Sequence, residues 1–272
     1  MVRARQRPTI RRWRRGSPMP TPLALQLFSV RGECEKDLAG TLKRVAKIGY
    51  AAVEPWGFNG ESLEWMGHSA ADVRAMLDDA GLKCCGFHIG TDALAADRIG
   101  TTIEMNQALG NRFAIVAWDQ PHMSSKDGIM ELAGILNAAA KRLEAEGMAT
   151  GYHAHGFDFD VVDGEVAWNT LFANTDDAVI MQIDIGNCLG GGGDPVDALR
   201  RFPGRARSVH LKEYGQPEGG TIGDGQVDWP AMLALIKELH DPEWYVVEEP
   251  GPGGLGYEIP EKAYQTLRGF GL

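Results

Sequence analysis

Eight short apolar runs, each followed by a stretch with helical spacing, repeat along the chain from residue 23 to the end. The runs cover 23–30, 50–53, 82–89, 112–118, 148–153, 179–185, 206–212 and 244–248. The helical stretches between and after them cover 37–48, 69–80, 98–109, 129–146, 166–173, 196–202, 229–239 and 261–267. In 37–48, for example, Leu38, Leu42, Val45 and Ile48 share one face and Gly49 closes the helix. Strictly alternating β and α units over this length imply a parallel sheet, and eight of them imply closure. The expected fold class is therefore α/β, a single-domain (β/α)8 TIM barrel over 23–272. An open doubly wound sheet is the competing architecture. It wants a glycine-rich phosphate turn after its first strand, and Ser29-Val30-Arg31-Gly32-Glu33 is not one.

Charge divides the chain unevenly. Residues 1–22 carry seven arginines and no acid, against a formal total of −10, which leaves −17 for the remainder. An acidic body disfavours nucleic acid as a partner. The arginine-rich head lacks a following apolar segment, so it does not read as a secretory signal. It is expected to be a disordered tail and linker, with 1–18 dispensable. No apolar run is long enough to span a membrane. Cys34, Cys84, Cys85 and Cys188 show no zinc-type pairing and form a poor disulfide framework, so a reducing cytoplasmic location is expected.

The stretch 179–195, VIMQIDIGNCLGGGGDP, is the most informative single segment. An acid, Asp184, closes a buried apolar run. A glycine cluster follows, and then Asp194-Pro195 in helix N-cap order. A carboxylate at the end of a buried strand needs a cation, a proton or a partner. The other runs end similarly: Glu54 on the second, His88 on the third, His153 and His155 around the fifth, Gln182 and Asp184 on the sixth, His210 and Lys212 on the seventh, Glu248 and Glu249 on the eighth. Side chains alternate faces along a strand. His153 and His155 therefore share a face, as do Gln182 and Asp184, and His210 and Lys212. Glu248 and Glu249 cannot both point inward. Each residue alone reads as ordinary punctuation or a satisfied rim residue, but their convergence on strand ends does not. Histidine, aspartate and glutamate are the ligands suited to a divalent ion such as Mn, Co, Zn or Mg.

These motifs resemble those of the xylose isomerase-like sugar (phosphate) isomerase/epimerase barrels. The resemblance runs through Gly49-Tyr50 to Val53-Glu54, Tyr152-His153-Ala154-His155 with Phe157 and Phe159, and Gln182-Ile183-Asp184-Ile185-Gly186-Asn187. It continues through Val209-His210-Leu211-Lys212-Glu213, the 223–229 loop and Val247-Glu248. By position, it implies a divalent ion held by His153, Asp184, His210 and Glu248. The chain departs from the ketose 3-epimerases, which have a glutamate where His153 stands. That glutamate and a second one bind the metal and shuttle a proton.

The activity implied is isomerisation or epimerisation of a sugar, keto sugar or sugar phosphate through an enediolate. The departure at His153 opens a related reaction, dehydration or hydration of a keto sugar or keto-inositol. A metal chelating a carbonyl and its neighbouring hydroxyl stabilises the enediolate. His155 suits the base, Lys212 the developing oxyanion, and Glu54 and Glu248 further acid–base roles. His88, Gln182, Trp56 and Trp118 are expected to contact substrate, the two tryptophans as an apolar wall or as barrel packing. The expected partner is a small carbohydrate, and a homo-oligomer is compatible with the reading. An endonuclease IV-like phosphodiesterase wants a basic face and more ligands. A non-catalytic sugar-binding barrel has no need of an intact ligand set.

Overall fold

The computed structural model describes residues 21–249 and 252–272. The expected tail over 1–18 lies outside the described residues. Thr21 and Pro22, expected in the linker, are tied to the barrel. The Thr21 hydroxyl donates to the Pro242 carbonyl, and the Pro22 carbonyl accepts from the Tyr245 amide.

The barrel strands are β1 (Leu23–Gln26), β2 (Ala52–Glu54), β3 in two pieces (Lys83–Cys84 and Phe87–Ile89) and β4 (Phe113–Val116). They continue with β5 (Ala149–His153), β6 (Ile180–Gln182), β7 (Ser208–Leu211) and β8 (Trp244–Val247). All neighbouring pairs are parallel, and β1 lies between β8 and β2. The ring closes between β6 and β7 through the Asp184–His210 bridge, the His210 amide donating to the Ile183 carbonyl. β3 breaks at Cys85-Gly86, where it passes from β2 to β4.

One main helix follows each strand: α1 (Leu38–Ile48), α2 (Ala70–Ala80), α3 (Ile99–Ala108), α4 (Lys126–Glu144), α5 (Ala167–Ala173), α6 (Pro195–Arg201), α7 (Trp229–Leu239) and α8 (Glu258–Gly269). Local chemistry sets their ends. Ser69 accepts from the Asp72 amide to cap α2, and Gly81 stops it in the left-handed region at φ 72°. Asp194 and Asp228 cap α6 and α7, each with a proline in the first turn.

Two expected strands end early because a side chain near the strand end caps the next turn. The run 23–30 stays extended only to Gln26. The Gln26 side chain accepts from the Phe28 amide and caps a 3-10 turn, Leu27–Val30, which turns the backbone out of the sheet. The run 179–185 yields a strand only to Gln182. Asp184 instead caps a short helix, Ile185–Gly190, by accepting from the Asn187 amide. Both side chains bond local amides, which ends the ladder.

The main core fills the space between barrel and helices, with Trp168, Trp229, Tyr152 and Phe172 fully buried there. Inside the barrel the floor is small and apolar, formed by Ala24, Ala52, Cys85 and Val246 beside Phe113, Ile115 and Ile180. Two residues further along β1, β2 and β6, the same inward positions carry Gln26, Glu54 and Gln182. The period of two thus converts each strand's last turn of pleat into a polar layer above an apolar one.

Candidate metal centre

The polar layer begins with Glu54. It is fully buried, and four groups face its carboxylate. Gln26 Nε2 donates to Oε2 at 2.8 Å, and Gln182 Nε2 donates to Oε1 at 2.9 Å. His210 Nε2 lies 2.7 Å and His88 Nε2 3.0 Å from Oε2. These partners hold its pKa well below the ordinary carboxylate range: burial opposes ionisation, but His88 and His210 outweigh it. Gly86 makes the room. A Cβ there would stand 2.2 Å from Glu54 Oε1. Gln182 also donates to Ser208 Oγ at 3.0 Å, and its Oε1 accepts from His88 Nε2 at 2.7 Å. Glu54, His88 and Gln182 are thus knitted together beneath the strand ends.

Above this layer His153, Asp184, His210 and Glu248 each offer a ligand atom, all within 4.8 Å of one another, and all four are buried. His210 Nδ1 lies 2.9 Å from Glu248 Oε2 and 4.0 Å from Asp184 Oδ2, and His153 Nε2 lies 3.8 Å from Glu248 Oε2. The His210 imidazole bridges two carboxylates, Glu54 and Glu248. Burial works against its charge, but Glu54 and Glu248 outweigh it and raise its pKa to about 10. The Asp184 pKa is raised as well, to about 6, with burial as the main cause. Asp184 Oδ1 accepts from the Asn187 amide at 2.7 Å, while buried Oδ2 and buried His153 Nδ1 have no hydrogen-bond partner. An unpaired carboxylate oxygen in a buried cup costs free energy that a cation would recover. Two imidazole nitrogens and two carboxylate oxygens fit a first-row divalent ion. His210 would hold an ion through Nδ1, since its Nε2 lies 2.7 Å from Glu54, the arrangement by which a carboxylate orients a metal-bound histidine.

Two further expected residues stand at the edge of the cup. The His155 ring sits edge-on to His153 at 5.0 Å and stacks on Phe157 at 5.6 Å. Burial is the main cause lowering its pKa to about 4. Lys212 Nζ lies 3.5 Å from Glu248 Oε1. Burial opposes its charge, but Asp184, Glu248 and Glu249 together raise its pKa above the ordinary lysine value. Trp56 and Trp118 lie apart from this cluster. Trp56 is half-buried and packs edge-on with Phe28 and Trp65, whereas Trp118 is half-exposed and meets Phe157 edge-on at 6.0 Å. Of the acidic pair, Glu248 turns into the cup. Glu249 turns away, and its Oε1 accepts from the Glu213 amide at 2.6 Å.

The sequence reading missed Gln26, Ser208 and Asp158. The first two were within reach, because each lies at an inward position of a strand whose other inward residues are polar or small. Asp158 carried no such signal. It is fully buried, and it accepts from the His155 amide at 2.6 Å and from the Tyr152 hydroxyl at 3.0 Å.

The fold and site together define a (β/α)8 barrel with a buried His/Asp/Glu cluster suited to a divalent ion. Residues 42–270 match the family model described as xylose isomerase-like TIM barrel, and the chain belongs to that family. An inosose dehydratase of Geobacillus kaustophilus is 24% identical over 251 residues, covering 76% of this chain and 78% of that protein. A solved sugar phosphate isomerase/epimerase from Parabacteroides distasonis superposes with a TM-score of 0.79 at 20% identity, covering 93% of this chain and 98% of that one. The IolI protein, solved with a bound zinc atom, superposes with a TM-score of 0.61 at 17% identity over 92% of this chain and 96% of its own.

Proposed function

We propose that this chain is a metal-dependent lyase that removes water from a polyhydroxylated ketone, of the keto-inositol or keto-sugar class. The observation that carries the reading is the four-donor cup with one imidazole, His155, and one ammonium group, Lys212, at its edge. His155, edge-on to His153 and stacked on Phe157, is placed to accept a proton from the carbon next to a ketone. Lys212 stays protonated and can neutralise the oxygen that gains charge, or give a proton to a departing hydroxyl. A divalent ion held by His153, Asp184, His210 and Glu248 would supply charge stabilisation for the enediolate. Glu54 takes an orienting role in this reading, fixing His210 and His88 from below. The β-elimination is balanced: the α-carbon loses a proton, the β-carbon loses hydroxide, and one water leaves. The enol that remains becomes a 1,2-diketone. The dehydratase of 24% identity supports this choice.

An isomerase or epimerase shares the first step and returns the proton instead. It wants proton acceptors on both faces of one carbon, or a carrier between two carbons. The substrate is taken to be a small carbohydrate, bound at the mouth where Trp118 and Phe157 stand. Incubation with keto-inositols and ketoses in D2O, followed by NMR and mass spectrometry, separates the reactions. The lyase reading expects products lighter by one water. Deuterium incorporation at carbon without loss of water would instead assign an isomerase or epimerase, and no change with any ketone would reject both.

A further inference from the structure

Resting on the metal reading above, we propose that this centre prefers the nitrogen-accepting later first-row ions, zinc and cobalt, over manganese and magnesium, and that His153 sets this preference. The argument begins with the donor atoms. Of the four residues that converge within 4.8 Å, two contribute imidazole nitrogens and two contribute carboxylate oxygens. Magnesium favours oxygen ligands in a near-ideal octahedron and keeps several of its waters. Imidazole suits zinc, cobalt and nickel, and affinity at such sites rises from manganese toward the later ions.

The surroundings add to the nitrogen character. His88, His153 and His210 form a second three-residue group in which ligand atoms also lie within 4.8 Å. Their rings crowd together, with centroids 4.4 Å apart for His153 and His210 and 4.6 Å for His88 and His153. The two carboxylates of the cup match the charge of one divalent ion, and the further carboxylate beneath it, Glu54, is already engaged by Gln26, His88, Gln182 and His210. Lys212 Nζ, 3.5 Å from Glu248, adds positive charge at the same edge. Three of the four donors already have an orienting bond or contact: His210 on Glu54, Asp184 on the Asn187 amide, and Glu248 on His210 and Lys212. His153 is the donor without one, because its buried Nδ1 has no partner and Nε2 is 3.8 Å from Glu248. A histidine placed so is explained by an ion and leaves its nitrogen free to choose it.

The test uses the full chain, stripped of metal and dialysed against an equimolar mixture of Mg2+, Mn2+, Co2+ and Zn2+, with bound metal measured by mass spectrometry. The wild type is expected to retain zinc or cobalt. His153→Glu keeps four ligands but exchanges a nitrogen for an oxygen. It is expected to narrow the Zn-to-Mn occupancy ratio by roughly 10–100-fold, the scale on which single changes around a metal act on affinity. The visible absorption of the Co2+-loaded protein should shift in the variant as its ligand field weakens. An unchanged ratio together with an unchanged Co2+ spectrum overturns the proposal while leaving the metal reading standing. Absence of any bound ion in the wild type overturns both. If His153→Glu does not fold, the wild type decides: Co2+ that survives a large excess of Mn2+ supports the proposal, and Co2+ displaced by it refutes the proposal.

Discussion

His153 and His155 are two positions apart, yet their imidazoles meet different surroundings. His153 is buried among His88, His210 and Glu248, so its ring can reach only an ion or those neighbours. His155 lies half-buried against Phe157, at the edge of the cup. The two substitutions should therefore part ways. His153→Ala is expected to lose the ion and activity together. His155→Ala should keep the ion but lower kcat by roughly 10²–10⁴-fold, the usual worth of a positioned acid or base. Metal analysis and steady-state kinetics on the same preparations check this, and a metal-free His155→Ala protein would reverse the two roles. Asp184→Asn keeps the shape and removes the anionic oxygen, so it should lower metal occupancy while Asn187 still finds an acceptor.

At the scale of elements, the loop between β7 and α7 hangs on one carboxylate. Glu213, 3% exposed, accepts from the amides of Tyr214, Gly223 and Val227 and from Trp229 Nε1. Four donors on one acid make a bracket that folds a glycine-rich segment back against the start of α7. Glu213→Ala leaves those donors buried without an acceptor. It should cost roughly 3 kcal/mol in urea unfolding and expose 214–227 to protease. Glu213→Gln retains one acceptor oxygen and should lose less. Equal losses in the two variants would show that the charge, not the bracket, matters.

At the scale of the whole molecule, two buried carboxyls bring acid–base linkage that runs against the usual expectation for carboxylates. Burial raises Asp158 and Glu249 from ordinary values of 3.8 and 4.5 to about 8. Both groups hold protons more tightly folded than unfolded. The unfolded state therefore binds fewer protons between about pH 4 and 8, and stability falls as pH rises through that window. Each group contributes a slope of at most about 1.4 kcal/mol per pH unit. Asp158→Asn should flatten the decline in urea midpoint across this range, whereas an unchanged profile would reject the assignment. An ion bound only by the folded state raises stability by about 2.7 kcal/mol at a hundredfold excess over Kd. Zinc or cobalt should thus raise the melting temperature, and a chelator should reverse the rise.

Local periodicity was enough to read the barrel and the inward face of each strand. A period of two places Glu54, His153, Gln182 and His210 on that face wherever the partners lie, because alternation is a property of the strand alone. Caps such as Ser69, Asp194 and Asp228 are equally local, since each side chain bonds an amide two or three residues away. The ends of β1 and β6 were not read, because Gln26 and Asp184 look like strand residues until their side chains are seen to bond the next turn. The pairing of Glu54 with His210, 156 residues apart, appears only once the ring closes. The same is true of the choice of Glu248 over Glu249 for the cup, of the burial of Asp158, and of the oxygen of Asp184 that has no partner. The sequence alone determined which residues could face the barrel axis. The tertiary structure decided which of their polar atoms were satisfied, because satisfaction depends on groups that closure brings together from distant parts of the chain.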